Sequence, residues 1–144
     1  MNKEVLISIK GLQYDVDEED PVEVISVGDY YRRNGKHYLR YDEISEDHEG
    51  VSSCTMKFRD KQLDIIKLGP ANVHMVFEEG VKTNTMYHTP FGEIQVGILT
   101  NQMEIKESED EITVKIHYSL DINYAHLSEC EIDIVVKPRK VNRA

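Results

Sequence analysis

Six histidines, at positions 37, 48, 74, 88, 117 and 126, are the first residues to weigh as metal ligands or general bases. None of them falls in the HxH, HExxH or CxxC-type spacing that would gather ligands around zinc. His74 and His88 could approach each other if their segments pair, but on polar faces they read as partly exposed imidazoles, and no metal site is expected. The nucleophiles do no better. Ser119 and Ser128 lie outside any GxSxG elbow, and Cys54 and Cys130 alternate with polar neighbours, which turns both thiols toward a core where they would be inert. Acidic pairs abound, but sequence position does not raise a carboxyl pKa, and there is no glycine-rich loop to hold a phosphate. These residues point away from an enzyme and from any cofactor.

A second set of polar groups stands on faces that otherwise read as interior: Thr83, Thr85, Tyr87, Asn101 and Tyr118. In a small barrel, such a mixed aromatic and hydroxyl lining is what a largely apolar pocket with a few orienting hydrogen bonds requires. Plain packing of good strand formers is the competing explanation. Tyr30, Tyr31, Tyr38 and Tyr41 cluster on one predicted hairpin whose two faces are both partly apolar, so Tyr31 and Tyr38 are candidates for a contact surface with a protein partner or a second copy.

The elements that must carry these residues are strands. From Ile112 to Ile122 the even positions are Ile112, Val114, Ile116, Tyr118, Leu120 and Ile122, and the odd ones are polar, as in a strand with one dry face. The next segment repeats the pattern with a change of phase, which a β-bulge near Ser128 or Glu129 would absorb. A turn at Asn123-Tyr124 then sets Tyr118 against Cys130, Ile116 against Ile132, Val114 against Ile134 and Ile112 against Val136, while Lys115 meets Asp133 on the wet face.

The same logic runs back along the chain. A first strand covers about Glu4 to Tyr14, and the acidic stretch Asp15 to Pro21 ends it. Asn34-Gly35 is a strong type I′ hairpin signal and pairs Tyr31 with Tyr38. Asp60-Lys61 places Phe58 against Leu63 and Met56 against Ile65. Gly80 supplies the left-handed residue of a third hairpin, in which Val81, Thr83, Thr85 and Tyr87 would pair with the Val73, Met75, Phe77 row. A long strand from Glu93 to Ile105 changes phase at Ile98 to Leu99, and a turn over Glu107 to Asp110 sets Ile105 against Ile112 and Met103 against Val114.

Eight to ten strands joined mainly by tight turns describe a single antiparallel up-and-down β-barrel, with a core of about residues 4–137 and a tail at 138–144. A chain of 144 residues is expected to form one domain. Its 27 acidic against 17 basic residues give a net charge of -10, which repels nucleic acid and anionic lipid. No run approaches about 18 apolar residues, and Met1 to Lys10 reads as a strand, not a signal peptide. Two cysteines at core-facing positions suit a reducing compartment.

The block Gly69-Pro70-Ala71-Asn72-Val73-His74-Met75-Val76-Phe77-Glu78-Glu79-Gly80, followed by Tyr87-His88-Thr89-Pro90-Phe91-Gly92, resembles the signature of the YwiB-like family. Tyr38-Leu39-Arg40-Tyr41 with Glu43, and Tyr118-Ser119-Leu120, resemble it as well. The family's usual Asn-Gly in the last hairpin is replaced here by Asn123-Tyr124. The resemblance implies a bacterial, cytoplasmic protein with a calycin-type, lipocalin-like barrel, and brings no activity with it. The expectation is therefore a non-enzymatic barrel that binds a small amphipathic ligand in its lumen. The alternative is an interaction or structural module that acts through its outer surface, including as a homodimer.

Overall fold

The structure, a computed structural model, describes residues 3–11, 23–44, 51–69, 72–89, 92–123 and 125–139. The predicted acidic loop at 15–21, the end of the first predicted strand, the polar loop at 45–50, Pro90, Phe91 and Tyr124 lie outside the described residues. Ten strands are described: β1 (Lys3–Lys10), β2 (Glu23–Arg33), β3 (Lys36–Ile44), β4 (Val51–Arg59), β5 (Gln62–Leu68), β6 (Val73–Glu78), β7 (Lys82–Thr89), β8 (Gly92–Glu107), β9 (Ile112–Ile122) and β10 (Ala125–Pro138). They form one antiparallel sheet in the order β6-β5-β4-β3-β2-β1-β10-β9-β8-β7. The first and last strands therefore pair with each other, and the sheet curls into a nearly closed barrel whose seam lies between β6 and β7.

Turn chemistry fixes most of the registers. Asn34 and Gly35 both take positive φ (52° and 76°), as a type I′ turn demands, and Tyr31 pairs with Tyr38. Asp60 (φ 53°) turns β4 into β5, with Phe58 against Leu63 and Met56 against Ile65. The closing hairpin pairs Tyr118 with Cys130 and continues to Ile112 with Val136. Its bulge falls at Leu127, between the pairs of His126 and Ser128, one residue earlier than expected.

Two registers differ from the sequence reading. Ile105 pairs with Val114 and Met103 with Ile116, two residues from the expected alignment, because the turn is centred one residue later: Glu107 still pairs with Ile112, and Ser108 N–H donates to Glu111 O at 2.8 Å. The bulge in β8 is at Asn101, between Thr100 and Gln102, and not at Ile98 to Leu99.

The third difference is the seam. Gly80 takes φ 81° as expected, yet among the described residues no backbone ladder joins β6 to β7. The turn is sewn to other strands instead: Glu79 N–H donates to Lys61 O (3.0 Å) and Gly80 N–H to Thr100 O (2.8 Å). Beside the β8 bulge, Met103 N–H donates to Glu79 Oε2 (2.9 Å) and Lys61 Nζ to Met103 O (2.9 Å). The Met103 hydrogen bond holds the Glu79 carboxyl below its ordinary pKa, helped by the Lys61 ammonium nearby. Side chains thus replace ladder bonds where the barrel would otherwise show two open edges.

Inward-facing side chains fill the lumen. Phe58, Phe77, Leu39, Met56, Met75, Met103, Ile116 and Leu120 are all buried, and they come from β3, β4, β6, β8 and β9. This is one continuous core that runs around the barrel wall. Among the described residues no helix is long and apolar enough to cross a membrane.

Candidate functional site

Thr83, Thr85 and Tyr87 share the lumenal side of β7, opposite Ile98, Val96 and Ile94, and all three are only half-buried because β7 flanks the seam. Thr83 Oγ1 donates to Val76 O at 2.6 Å and so bridges the seam in place of a backbone bond. Tyr118 is buried and meets Phe77 edge to face at 5.1 Å between ring centres, a geometry that joins β9 to β6 through the core. Asn101, expected beside them, is elsewhere. It is the extra residue of the β8 bulge, it is exposed, and its Nδ2 donates to Ser119 Oγ at 3.3 Å on the outer face. Sequence reasoning missed the residue that does complete the row. Thr100 pairs with Tyr118 and is fully buried, with no partner for its Oγ1 among the described residues. Its hydroxyl sits inside an apolar wall, where an unmade hydrogen bond costs about 1–3 kcal/mol.

Tyr31 and Tyr38 stack on the outside of the β2–β3 hairpin, with ring centres 4.8 Å apart and planes 2° from parallel. Further along the same outer surface, Leu6 of β1 faces Val27 of β2, and Ile25 lies one pair on, opposite Ser8. These three apolar side chains are 38%, 46% and 65% exposed. Next to them is an outer concavity of about 470 Å³. Across it Glu23, Lys10, Asp133, Lys115 and Glu104 follow one another strand by strand with alternating sign. A second outer concavity, about 620 Å³ near the β4–β5 turn, sets Lys36, Lys57, Arg59 and Lys61 against Asp60, Asp64, Glu78 and Glu79, four charges of each sign. Neither concavity offers an ionic ligand a field of one sign.

The densest buried chemistry is at the barrel mouth formed by the β2–β3 turn and the β8–β9 turn. His37 faces inward with Leu39 and Tyr41, is 5% exposed, and stacks on Phe58 at 4.7 Å. Its Nε2 is 3.1 Å from Arg32 Nη2 and its Nδ1 is 2.8 Å from Tyr30 Oη. A guanidinium can only donate, so Nε2 accepts, and the ring proton of the neutral imidazole sits on Nδ1 and is donated to the tyrosine oxygen. Glu107 arrives from β8, accepts from Arg32 Nη2 at 2.9 Å, and stands 3.7 Å from His37 Nε2. Burial, then the Arg32 charge, hold the His37 pKa below its ordinary 6.5, with Glu107 opposing them. Burial also raises the Tyr30 hydroxyl. A cavity of about 80 Å³ lies beneath the β8–β9 turn, walled by Val5, Tyr30, Ile112 and Val136. Position parity could have marked His37 as interior, but no local signal ties it to Glu107.

Among the described side chains, His74, His117 and His126 are partly or fully exposed and stand beside carboxylates, such as His74 Nε2 with Asp64 Oδ2 at 3.2 Å. The expected approach of His74 to His88 involves a side chain outside the described residues. Among the described residues, no group of three or more His, Cys, Asp or Glu side chains is arranged to hold a metal ion. Neither Cys54 nor Cys130 is held in a disulfide, and burial pushes the Cys54 thiol up to about 11. A thiol reagent is therefore expected to modify Cys54 only when the chain unfolds. Prompt modification in the native state would mean that the β3–β4 wall opens readily.

A closing strand pair, a lateral seam and a filled lumen are features to compare with known proteins. Residues 7–134 match the family model described as a domain of unknown function, DUF1934. The chain belongs to this family. It is also similar to the uncharacterized β-barrel protein YwiB of Bacillus subtilis (strain 168), with 22% identity over 119 residues that cover 82% of each chain. The crystal structure of the ywiB protein from Bacillus subtilis superposes with a TM-score of 0.81 at 19% identity, over 96% of this chain and 94% of that one. The likeness to YwiB and the antiparallel barrel expected from the residue blocks are thus borne out.

Proposed function

We propose that this DUF1934 protein is a non-enzymatic binding module that works in the bacterial cytoplasm and recognises a protein partner, a second copy included, through the outside of its barrel. The observation that carries this reading is the filled lumen, in which Phe58, Phe77, Met56 and Met75 occupy the space a ligand would need. In a calycin-type barrel the lumen either holds a ligand or is packed with side chains, and packing moves recognition to the exterior. The Leu6, Ile25 and Val27 patch, flanked by the alternating charges of the neighbouring concavity, supplies the apolar centre and polar rim such a contact uses.

A second reading keeps a small amphipathic ligand but seats it at the seam. It is favoured by the half-buried Thr83, Thr85 and Tyr87 row and by the unpartnered hydroxyl of Thr100 behind it. Native mass spectrometry of protein purified from its own host separates the two. A dimer or a retained protein, lost in Val27→Glu, is the expected result. A one-to-one small-molecule adduct on a monomer would favour the seam, and a bare monomer would overturn both.

A further inference from the structure

The mouth cluster has a geometry that a single proton would rearrange. His37 Nε2 lies between a guanidinium at 3.1 Å and a carboxylate at 3.7 Å, and those two groups touch each other at 2.9 Å. With the ring neutral, the Nε2 lone pair accepts from Arg32, and Arg32 in turn holds Glu107. A proton from solvent that adds to this lone pair removes the acceptor and leaves two N–H donors facing each other across a like-charge contact. The Glu107 oxygen is the nearest acceptor and needs to move by less than an ångström to reach hydrogen-bond distance. Nδ1–H donates to Tyr30 Oη in both states, so the ring need not turn.

We propose that His37 operates a proton-driven exchange of partners at this mouth: neutral, it is bridged to Glu107 by Arg32; protonated, it takes Glu107 directly and releases Arg32. The groups that face the ring are Tyr30 and Arg32 from β2, Glu107 from β8 and, from β4, the uncharged Phe58. The released guanidinium joins Arg33 and Lys36, a cross-strand pair at the tip of the same hairpin. Among the described residues, the acid form therefore gathers three cations at one tip of an otherwise acidic protein. The same step draws the β8–β9 hairpin onto the ring above the Tyr30 cavity.

Long-range proton–nitrogen NMR of the histidine rings across a pH series tests this on the whole chain. The expected result is the Nδ1–H tautomer of His37 in alkaline solution, gain of a proton at Nε2 on acidification, and an Arg32 side-chain shift with the same midpoint. Glu107→Gln should lower that midpoint, because the carboxylate favours the charged ring, and Arg32→Gln should raise it. Both side chains are about half exposed, so the variants keep the fold, which their own spectra report. An Nε2–H tautomer in alkaline solution, or a midpoint that either variant leaves unmoved, would overturn the exchange. Neither result depends on whether the outer face binds a partner.

Discussion

Ile116→Ala is expected to lower the stability of the barrel by about 2–5 kcal/mol. Ile116 is fully buried in the middle of β9, between Met103 of β8 and Ile132 of β10, and both of these are fully buried as well. Truncation removes three carbons from the core. The neighbouring backbones are pinned by ladders on both sides, so the wall has little freedom to close the space. The cost is therefore the lost transfer energy plus most of a cavity. Denaturant melts measure it, with the outward-facing Lys115→Ala as a control expected within about 0.5 kcal/mol of the parent. A loss for Ile116→Ala as small as the control's would mean that the even face of β9 is not the inner wall.

The elements that were legible in the sequence are those whose turn and face pattern constrain each other. In β2–β3 the Asn34-Gly35 turn admits one register, and in β9–β10 the opposed charges of Lys115 and Asp133 agree with the apolar rows. The β8–β9 register was not legible, for a physical reason. A slip of two residues returns every side chain to its own face, so Ile105 can face Ile112 or Val114 with the same alternation, and only the position of the turn, at 108–111 or one residue earlier, decides. A bulge likewise leaves a change of phase that can be seen but not placed, which is why Asn101 was expected inside and stands outside. The seam was invisible because β6 and β7 alternate whether or not their backbones bond. Of the candidate site residues, Thr83, Thr85 and Tyr87 do come together, since they share one strand. The His37 cluster needs Glu107, which is 75 residues from Arg32 and reaches it only through closure of the barrel.

Gly28→Ala is the second large effect, and its sign is the test. In an open strand alanine outperforms glycine by about 0.5–1 kcal/mol, because glycine loses more backbone freedom on folding. At position 28 the opposite is expected, a loss of about 1–3 kcal/mol from overpacking. A Cβ there would stand 2.5 Å from Arg40 O, 2.8 Å from Ile7 Cδ1 and 3.0 Å from Tyr41 Cβ. Ile7 can rotate away, but Arg40 O belongs to the β3 main chain and yields only if β2 and β3 separate. Gly28 with Tyr41 is also the terminal pair of that ladder, and β2 continues beyond it paired with β1 alone. The close approach at glycine is thus where β3 departs from β2 while Ile7 of β1, on the other edge of β2, reaches over the inner face, a junction that a side chain would wedge apart. Equilibrium unfolding together with near-ultraviolet dichroism, which senses Tyr30 and Tyr41, reads both the energy and the local packing. A variant as stable as the parent or more so would mean that the strands part at no cost here, and that the tight β1–β2–β3 junction does not hold this side of the barrel closed.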